Sequence, residues 1–514
     1  MNADQDQAGV IAFLCSPGAL GAPGPAERID THGAIIFLAG DRVFKLKRAV
    51  RYPYLDFSTA EKRRAVCEAE LRLNRRTAPD LYLDVRSVNV QADGTLGFGP
   101  GRPVDWLIVM RRFAAEDLLE SVAARGGLDA ALVRTLADRI AAFHADARTS
   151  IVPDGAARIG QVIAGNRASM SGAECLAPPA CDQLYTASLA ALNDVTALLD
   201  ARGASGHVRH CHGDLHLANI CLWQGLPTLF DCLEFDEALA TTDVLYDLAF
   251  LLMDLWHRGF RSQASLLFNR YLDQTDEAGG VAALPLFLSM RAAIRAHVGA
   301  IAASRQADAD AAATKRMDAS AYLDAAQAFL DAPRPRLVAI GGLSGTGKST
   351  LSGRLAHHIG GAPGARWLRT DVLRKCLAGV LPEERLPAEA YAPGQSERVY
   401  AQLMAQARAM LAAGRSVIVD GVYARQAERQ DIAAIAADLA VPFTGLWLEA
   451  PEALLTSRVS ARRDDASDAD AAVIAQQMRY DLGDLDGWHR LDASGSPEEV
   501  ARRARTLLDI GGRT

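Results

Sequence analysis

The chain has 514 residues, 50% of them hydrophobic, and a formal net charge of −7. This length exceeds what one hydrophobic core can organise, so two or three domains are expected. The net acidity excludes a surface that binds nucleic acid over its whole extent, although it would hide a local basic groove. No uninterrupted apolar run approaches the roughly 20 residues of a membrane span, and no basic segment followed by an apolar core opens the chain. We therefore expect a cytoplasmic protein with no membrane partner, and no pattern indicates an oligomeric state.

Cysteine spacing and lysine number add two constraints. The eight cysteines include no Cys-x-x-Cys pair, and Cys211, Cys221 and Cys232 match no structural zinc spacing. We expect them to be small buried residues rather than metal ligands. Because the chain has only six lysines, a lysine in a phosphate-binding context is informative; the six are Lys45, Lys47, Lys62, Lys315, Lys348 and Lys375.

The first elements along the chain are predicted to be strands. Apolar patterns predict strands at Ala34–Leu38 and Arg42–Lys47, joined by a turn at Gly40-Asp41. A charged helix is predicted from about Ser58 to Arg76, with Ser58 as its N-terminal cap and Glu61 three residues further on.

Further strands are predicted at 81–90 and 106–110, and from about Leu128 the pattern becomes mostly helical. A strand-rich lobe followed by a larger helical lobe is the layout of the α+β, two-lobed protein-kinase-like fold. We place its N-lobe at about 30–110 and its C-lobe at about 111–330.

A domain boundary is predicted near residue 331. An alanine-rich stretch ends there in Asp331-Ala332-Pro333-Arg334-Pro335-Arg336, and two prolines in this spacing end a helix and force extended chain. Beyond it, apolar strands alternate with helical patterns, which predicts a parallel sheet covered by helices. The predicted domains are therefore 1–330, kinase-like, and 331–514, an α/β P-loop domain.

The segment His212–Asn219 reads His-Gly-Asp-Leu-His-Leu-Ala-Asn. Phosphoryl transfer needs a group that aligns and deprotonates the acceptor hydroxyl and oxygen ligands that hold magnesium. Asp214, Asn219 five residues later, and Asp231 at the end of an apolar strand would supply these groups. The alternative is that His-Gly-Asp is an ordinary turn and Asp231 an ordinary strand end.

These residues resemble the aminoglycoside phosphotransferase-like branch of the kinase superfamily, which shows His-Gly-Asp-x-His-x-x-Asn. The resemblance covers about Ala34 to Met253. It implies that Asp214 is the catalytic base and that Asn219 and Asp231 hold magnesium. The acceptors of this branch are small hydroxyl compounds.

The resemblance also implies a strand lysine on the ATP phosphates, paired with a helix glutamate. We assign Lys45 and Glu70 to these roles, with Lys47 and Glu68 as the competing choices. Met110 to Phe113 would form the hinge beside adenine.

The chain departs from this pattern in two places. No Gly-x-Gly-x-x-Gly precedes the first strand, and Asp231-Cys232-Leu233-Glu234 stands in place of Asp-Phe-Gly. Asp243 and Asp247 are predicted on the following helix, where the family role is to brace the catalytic loop and the alternative is a surface position.

A second motif, Gly342-Leu343-Ser344-Gly345-Thr346-Gly347-Lys348-Ser349, follows an apolar strand and precedes a helix. This is the context of a Walker A loop, in which backbone N–H groups and a helix N-terminus hold phosphates. Lys348 would bridge the β and γ oxygens and Ser349 would bind magnesium. The predicted nucleotide-binding residues are Gly342, Ser344, Gly345, Thr346, Gly347, Lys348, Ser349 and Thr350.

Residues downstream of this loop complete a second candidate site. Asp371 ends a strand pattern and is the candidate base, Arg374 is a candidate substrate ligand, and Asp420 ends an apolar strand in the Walker B manner. Arg458 and Arg462, four residues apart, are predicted on one helix face as lid arginines, with a solvated face as the alternative.

From Leu337 to about Leu491 the chain is similar to small P-loop kinases that include gluconate kinase, chloramphenicol phosphotransferase and polynucleotide 5′-kinase relatives. The whole chain resembles bacterial fusions of the two domain types. The sequence thus predicts a bifunctional kinase that uses ATP and Mg²⁺ at two sites, each acting on a small hydroxyl-bearing acceptor. The fusion suggests the further hypothesis that the two sites act in sequence. One alternative makes one domain a regulatory nucleotide sensor. Another makes the C-terminal domain a nucleic-acid 5′-hydroxyl kinase, against which the net acidity argues.

Overall fold

A computed structural model describes residues 7–31, 33–52, 55–331, 333–461, 467–468 and 470–510. The chain divides into two compact units. The first comprises Met1–Ile151 and Ser205–Leu251, and the second comprises Val152–Ala204 and Leu252–Thr514. Each unit contains one of the two motifs.

The first unit is built on an antiparallel sheet with the strand order β1-β2-β3-β8-β6-β7. Its strands are β1 (Glu27–Asp30), β2 (Ala34–Ala39), β3 (Arg42–Lys47), β6 (Tyr82–Val90), β7 (Leu96–Gly97) and β8 (Arg102–Arg111), and a separate pair is β4 (Arg51–Tyr52) and β5 (Leu55–Asp56). Side chains alternate across β3, so Phe44 and Leu46 enter the apolar core that α1 (Ala8–Cys15) covers. Lys45 and Lys47 lie on the opposite face, towards α2 (Ala60–Asn74).

Helix α2 begins later than the sequence predicts. The Thr59 side chain accepts a hydrogen bond from the backbone N–H of Lys62 and caps the helix. The prediction of Ser58 as the cap is wrong, because Ser58 donates its hydroxyl to Asp56 Oδ1 at 2.6 Å. The predicted charged helix itself is present and carries Glu70 on its buried face.

Short elements surround the His212–Asn219 loop. They are α3 (Leu119–Ala124), α4 (Ala130–Asp146), β9 (Val208–His210), β10 (Ile220–Trp223), β11 (Leu226–Leu229), α7 (Glu237–Ala240) and β12 (Thr241–Asp243). β9 pairs with β12 and β10 pairs with β11, so both ends of the loop are fixed by antiparallel ladders. Helix α8 (Val244–His257) then carries the chain into the second unit.

Asp243 does not lie on the helix where the sequence predicted it. It is the last residue of β12, and its carboxylate accepts a hydrogen bond from the backbone N–H of Leu245 at 2.8 Å. A short polar side chain at this position satisfies an amide in the first turn of α8. Asp247 does lie on α8, where it is fully buried.

The second unit begins with long helices. They are α5 (Gly155–Ser171), α6 (Pro178–Ala204), α9 (Arg261–Gln274), α10 (Leu284–Ser304) and α11 (Ala309–Leu330). Among the described residues, one helical stretch, Ala278–Ser304, is long and apolar enough to cross a membrane, with a mean hydropathy of 1.3. Since 67% of its most apolar window is buried inside the protein, it has the character of a core helix.

The same unit contains a parallel five-stranded sheet with the order β14-β15-β13-β16-β17. Its strands are β13 (Leu337–Gly342), β14 (Arg366–Arg369), β15 (Val417–Asp420), β16 (Phe443–Glu449) and β17 (Trp488–Asp492). Its helices are α12 (Lys348–Ala356), α13 (Thr370–Leu377), α14 (Pro393–Ala412), α15 (Gln426–Asp438), α16 (Glu452–Ser460), α17 (Ala471–Gln477) and α18 (Pro497–Leu507). The predicted parallel sheet is confirmed.

The core of this sheet is apolar and fully enclosed. Val338, Ile340 and Ile418 on the strands pack with Leu355 of α12 and Ala504 of α18. Near-continuous apolar strands are expected where both faces of a parallel sheet are covered. The predicted boundary at 331–336 falls between α11 and β13, and it stays a prediction.

Candidate active sites

An ion pair joins β3 to α2 in the first unit. Lys45 Nζ lies 2.9 Å from Glu70 Oε1 and 2.6 Å from Asp231 Oδ1. The structure thus brings together a strand lysine, a helix glutamate and the acid that follows β11. Burial disfavours the charge on Lys45, yet the carboxylates of Asp231 and Glu70 outweigh it and raise its pKa well above the ordinary value.

The competing lysine also contacts Glu70. Lys47 Nζ lies 2.5 Å from Glu70 Oε2 and 2.5 Å from Glu234 Oε1. Burial would raise the pKa of Glu70, but the two lysines lower it to about 2. Glu68 instead pairs with Arg64 on the exposed face of α2. Both lysines therefore form an ion pair with Glu70. In the ion pairs described above, Lys45 also contacts Asp231, whereas Lys47 contacts Glu234.

Within the His212–Asn219 loop, the side-chain amide of Asn219 holds the carboxylate of Asp214. Asn219 Nδ2 donates to Asp214 Oδ2 at 2.8 Å and to the Asp214 carbonyl at 3.0 Å. The backbone N–H of Phe230 donates to the Asn219 carbonyl at 3.0 Å, which ties this loop to the segment that ends in Asp231. His212 Nε2 lies 3.0 Å from the Phe230 carbonyl.

Asp247 braces the start of this loop from α8. Its carboxylate accepts hydrogen bonds from the backbone N–H groups of His212 at 3.2 Å and Gly213 at 2.8 Å, and it lies 3.1 Å from His144 Nε2. The bracing geometry expected from the family resemblance is present. His144, Cys211 and Asp247 bring ligand-type atoms within 4.8 Å of one another. Because both Asp247 oxygens already accept hydrogen bonds, this cluster fits a structural role.

Two residues that no motif indicated, one at the end of α2 and one just after it, contact the loops of the first site. Asn74 Oδ1 accepts a hydrogen bond from the Cys232 backbone at 2.9 Å. The Arg76 guanidinium donates to the carbonyls of His210 at 2.7 Å and Cys211 at 3.1 Å, just before the motif. They were missed because these bonds join residues more than a hundred positions apart. Met110 packs with the apolar core of this lobe, and its place beside adenine stays a prediction.

In the second unit, the Walker A segment forms a loop between β13 and α12. Gly347 precedes α12 with φ of 89°, a left-handed conformation that favours glycine. Gly345 has φ of 86°, and a Cβ there would lie 2.7 Å from the Leu455 carbonyl. Lys348 Nζ donates to the Leu343 carbonyl at 3.0 Å and the Thr346 hydroxyl does so at 2.8 Å. The loop backbone therefore binds the ammonium group of its own lysine, Lys348.

A cavity of about 1320 Å³ adjoins this loop. Its lining includes the predicted residues Ser344, Gly345, Thr346, Gly347, Lys348, Ser349, Thr350, Asp371, Arg374, Asp420 and Arg458. Asp420 ends β15, directly beside the Arg369 end of β14, and Asp371 follows in the first turn of α13. Gly342 lies on β13. Parallel strands thus deliver these groups to one edge of the sheet, where ligands bind in such folds.

Arg374 is held by its surroundings. Its guanidinium donates to the Ala390 carbonyl at 2.7 Å and to Ser396 Oγ at 3.3 Å, and it lies 4.8 Å from the Tyr391 ring centre. Arg458 donates to the Gly495 carbonyl at 3.4 Å. Helix α16 ends at Ser460, and Arg462 lies outside the described residues.

The cavity wall has further polar residues that the motifs did not indicate. Gln477 Oε1 accepts a hydrogen bond from the Ser344 backbone at 2.7 Å, so α17 contacts the phosphate loop directly. Asp468 accepts from Tyr391 at 2.5 Å and lies 3.2 Å from the buried Lys375 Nζ. No sequence signal marks these residues, because each contact joins residues that are far apart in the sequence.

Comparison with known proteins gives the family. Residues 55–284 match the phosphotransferase enzyme family and residues 337–481 match a family described as an AAA domain. Over 484 residues the chain is 30% identical to uncharacterized proteins of Mycobacterium tuberculosis and Mycobacterium bovis, covering 92% of this chain and 94% of each relative. The chain belongs to the same family as these proteins and joins a phosphotransferase-family domain to an AAA-family P-loop domain. The fusion is an ATP-dependent phosphotransferase, and the predicted two-domain fold class is confirmed.

Solved structures similar to parts of the fusion include two kinases. One is amicoumacin kinase in complex with AMP-PNP, Ca²⁺ and Ami, 15% identical, covering 63% of this chain and 94% of that chain with a TM-score of 0.38. The other is a gluconokinase from Sinorhizobium meliloti, 20% identical, covering 34% of this chain and 92% of that chain with a TM-score of 0.25.

The donor groups of the fusion suit magnesium. Asn219 and Asp231 in the first unit and Ser349 and Asp420 in the second offer amide, carboxylate and hydroxyl oxygens, the ligands that Mg²⁺ prefers. Asp420 Oδ2 is buried without a hydrogen-bond partner in the described part of the chain. Burial raises the pKa of Asp420, against the nearby charges of Lys348 and Arg369. An acceptor oxygen left in this state fits a cation or its bound water.

Proposed function

We propose that the chain carries two independent kinase sites, each transferring the γ-phosphoryl group of ATP to a hydroxyl of a small molecule. The observation that carries this proposal is that each compact unit has its own lysine, candidate base and magnesium-type ligands. We propose domains at 1–330 and 331–514 and a cytoplasmic location.

In the first site, Lys45 would hold the ATP phosphates while Glu70 keeps the lysine oriented. Asp214 would align the acceptor hydroxyl and take its proton, and the Asn219 amide fixes the carboxylate for that task. Asn219 and Asp231 would hold magnesium, which neutralises charge on the transferred group when it is bound. Met110 would lie beside adenine.

In the second site, the backbone N–H groups of the Walker A loop and the α12 N-terminus would receive the phosphates. Lys348 would leave the Leu343 carbonyl to contact the β and γ oxygens. Asp371 would act as the base, Ser349 and Asp420 would hold magnesium, and Arg458 with Arg462 would stabilise the transferred group. Arg374 would contact the acceptor.

The alternatives make distinct predictions. If one domain is a regulatory sensor, its site binds ATP without turning it over. If the two sites act in succession on one molecule, the second site must accept the phosphorylated product of the first. The net charge of −7 favours small-molecule acceptors over nucleic-acid ends.

The test is phosphoryl transfer from γ-labelled ATP to a library of hydroxyl compounds and a 5′-hydroxyl oligonucleotide. The full chain is compared with the Asp214→Ala, Asp371→Ala and doubly substituted chains. We expect each single variant to lose a different set of labelled products and the double variant to lose all of them. Unchanged labelling in both single variants would refute the proposal.

A further inference from the structure

Helix α9 covers the exposed edge of the parallel sheet within the second unit. β14 is the edge strand, and the Asn269 side chain pairs with it as a neighbouring strand would. Asn269 Nδ2 donates to the Ala365 carbonyl at 3.1 Å, and the backbone N–H of Trp367 donates to Asn269 Oδ1 at 2.7 Å. An unpaired sheet edge needs such cover. The cover here comes from a helix that precedes the P-loop domain by about sixty residues of sequence.

A buried ion pair fixes the same strand to the same helix. Arg366 Nη2 lies 2.6 Å from Asp273 Oδ1, and Arg366 Nη1 donates to Asn269 Oδ1 at 3.1 Å and to the Asn269 carbonyl at 3.2 Å. Arg366 is 5% exposed and Asn269 3% exposed. A buried charge held by several hydrogen bonds tolerates little displacement, because any shift leaves it uncompensated.

Two further contacts join α9 to α13 and to the segment that follows α13. The Arg270 guanidinium binds both carboxylate oxygens of Glu383, at 3.1 Å and 3.3 Å. The Cys376 thiol on α13 donates to the Asp273 carbonyl at 3.4 Å. One helix therefore contacts β14, α13 and the segment after α13.

Each contacted element leads within a few residues to a group of the second site. β14 ends at Arg369 beside Asp420, and α13 follows at once with Asp371 and Arg374. The segment that contains Glu383 continues to Tyr391, whose ring lies against the Arg374 guanidinium. Helix α9 also packs against α12. The hydrogen bonds and ion pairs described above, however, join α9 to β14, α13 and the segment after α13.

We propose that α9 is a positioning element of the second site, in which Asn269, Arg270 and Asp273 set the placement of Asp371 and Arg374. This inference rests on the proposed function of that site. It makes the acceptor side of the P-loop kinase dependent on a helix of the preceding phosphotransferase segment, while ATP binding depends on the loop itself. Residues 331–514 alone would bind ATP but transfer its phosphoryl group poorly.

The test uses the full chain with Lys45→Met, which is expected to remove nucleotide binding at the first site, so that turnover and AMP-PNP binding both report the second site. Lys348→Ala serves as the zero. Glu383→Gln and Arg270→Glu remove the Arg270–Glu383 pair, Asn269→Ala removes the strand cover, and Ser262→Ala on the exposed face of α9 is the control. We expect about tenfold lower turnover in the three variants, with the Kd for AMP-PNP within about twofold of the parent. The charge-exchanged chain, Arg270→Glu with Glu383→Arg, should recover most of the turnover.

Hydrogen exchange gives a readout that does not depend on turnover. In Glu383→Gln and Arg270→Glu, the backbone amides of 370–377 and 384–391 should exchange faster than in the parent. In the charge-exchanged chain their exchange rates should return to those of the parent. The exchange rates of 348–356 should stay unchanged in all of these chains. Unaltered exchange in these segments would overturn the inference. So would a fall in turnover that the loss of AMP-PNP affinity fully accounts for. Absence of Lys348-dependent turnover in the parent would instead refute the proposed function and leave exchange as the deciding measurement for α9.

Discussion

Lys45 Nζ and Glu70 Oε1 lie 2.9 Å apart, and this ion pair links the central strand β3 to helix α2. Lys45 also contacts Asp231, so removing the Lys45 side chain breaks the link between the predicted phosphate ligand and the predicted metal ligand. In a Lys348→Ala background, Lys45→Met should lower first-site turnover at least about a hundredfold. Lys62→Met, on the exposed face of α2, should leave turnover unchanged, and equal losses in the two variants would contradict the assignment.

The low pKa of Glu70 predicts a dependence of stability on acid. Its folded-state pKa of about 2 lies below the ordinary 4.5, so the carboxylate stabilises the fold above pH 4.5 and loses this contribution as the pH falls towards 2. The difference in free energy of unfolding between wild type and Glu70→Gln should therefore shrink over that window, by on the order of 3 kcal/mol. Denaturant titrations at several pH values measure it. A difference that stays constant with pH would show that the carboxylate charge contributes nothing.

Asp247 should matter through the loop that it braces. Asp247→Asn leaves one of the His212 and Gly213 amides with a weaker acceptor, and we expect about 2 kcal/mol lower stability together with at least about tenfold lower kcat at the first site. Asp254→Asn is the matched control, because Asp254 is another buried acid of α8 that pairs with Arg258 instead. It should lower stability without a comparable loss of kcat. The reverse pattern would exclude a bracing role.

Asp371 is predicted to act on the acceptor rather than on ATP. Asp371→Asn should lower second-site turnover by about 10²-fold or more while the Kd for AMP-PNP stays within about twofold. Asp481→Asn, which changes another acid of the same cavity wall, should affect neither. A large loss of nucleotide affinity in Asp371→Asn would place this residue on the nucleotide instead.

Local patterns were sufficient for the fold class and for choosing the residues that the structure brings together at the centre of each candidate site. The alternation of β3, the apolar strand that ends in Asp420 and the glycines of the Walker A loop each depend on residues a few positions apart. Asp231, which was predicted at a strand end, instead lies two residues beyond the end of β11. Helix α2 is capped by Thr59 and not by the predicted Ser58. This difference has a local cause as well, because the Ser58 hydroxyl is hydrogen-bonded to Asp56.

Long-range contacts escaped prediction. Strand periodicity puts Lys45 and Lys47 on one face, so the sequence could not separate them, and the structure shows Glu70 between both. The cover of β14 by Asn269 and the contact of Gln477 with Ser344 join segments about a hundred residues apart or more, for which one sequence has no local signal. Asp243 was misplaced because the three-residue strand β12 leads directly into α8, with no glycine or proline between them to mark the boundary.

The number of ATP sites on one chain can be counted by isothermal titration of the full chain with Mg²⁺ and AMP-PNP. We predict two nucleotides bound per chain in the wild type, one in Lys45→Met, one in Lys348→Ala and none in the double variant. A single nucleotide per wild-type chain, or loss of all binding in either single variant, would show that the chain does not hold two independent ATP sites.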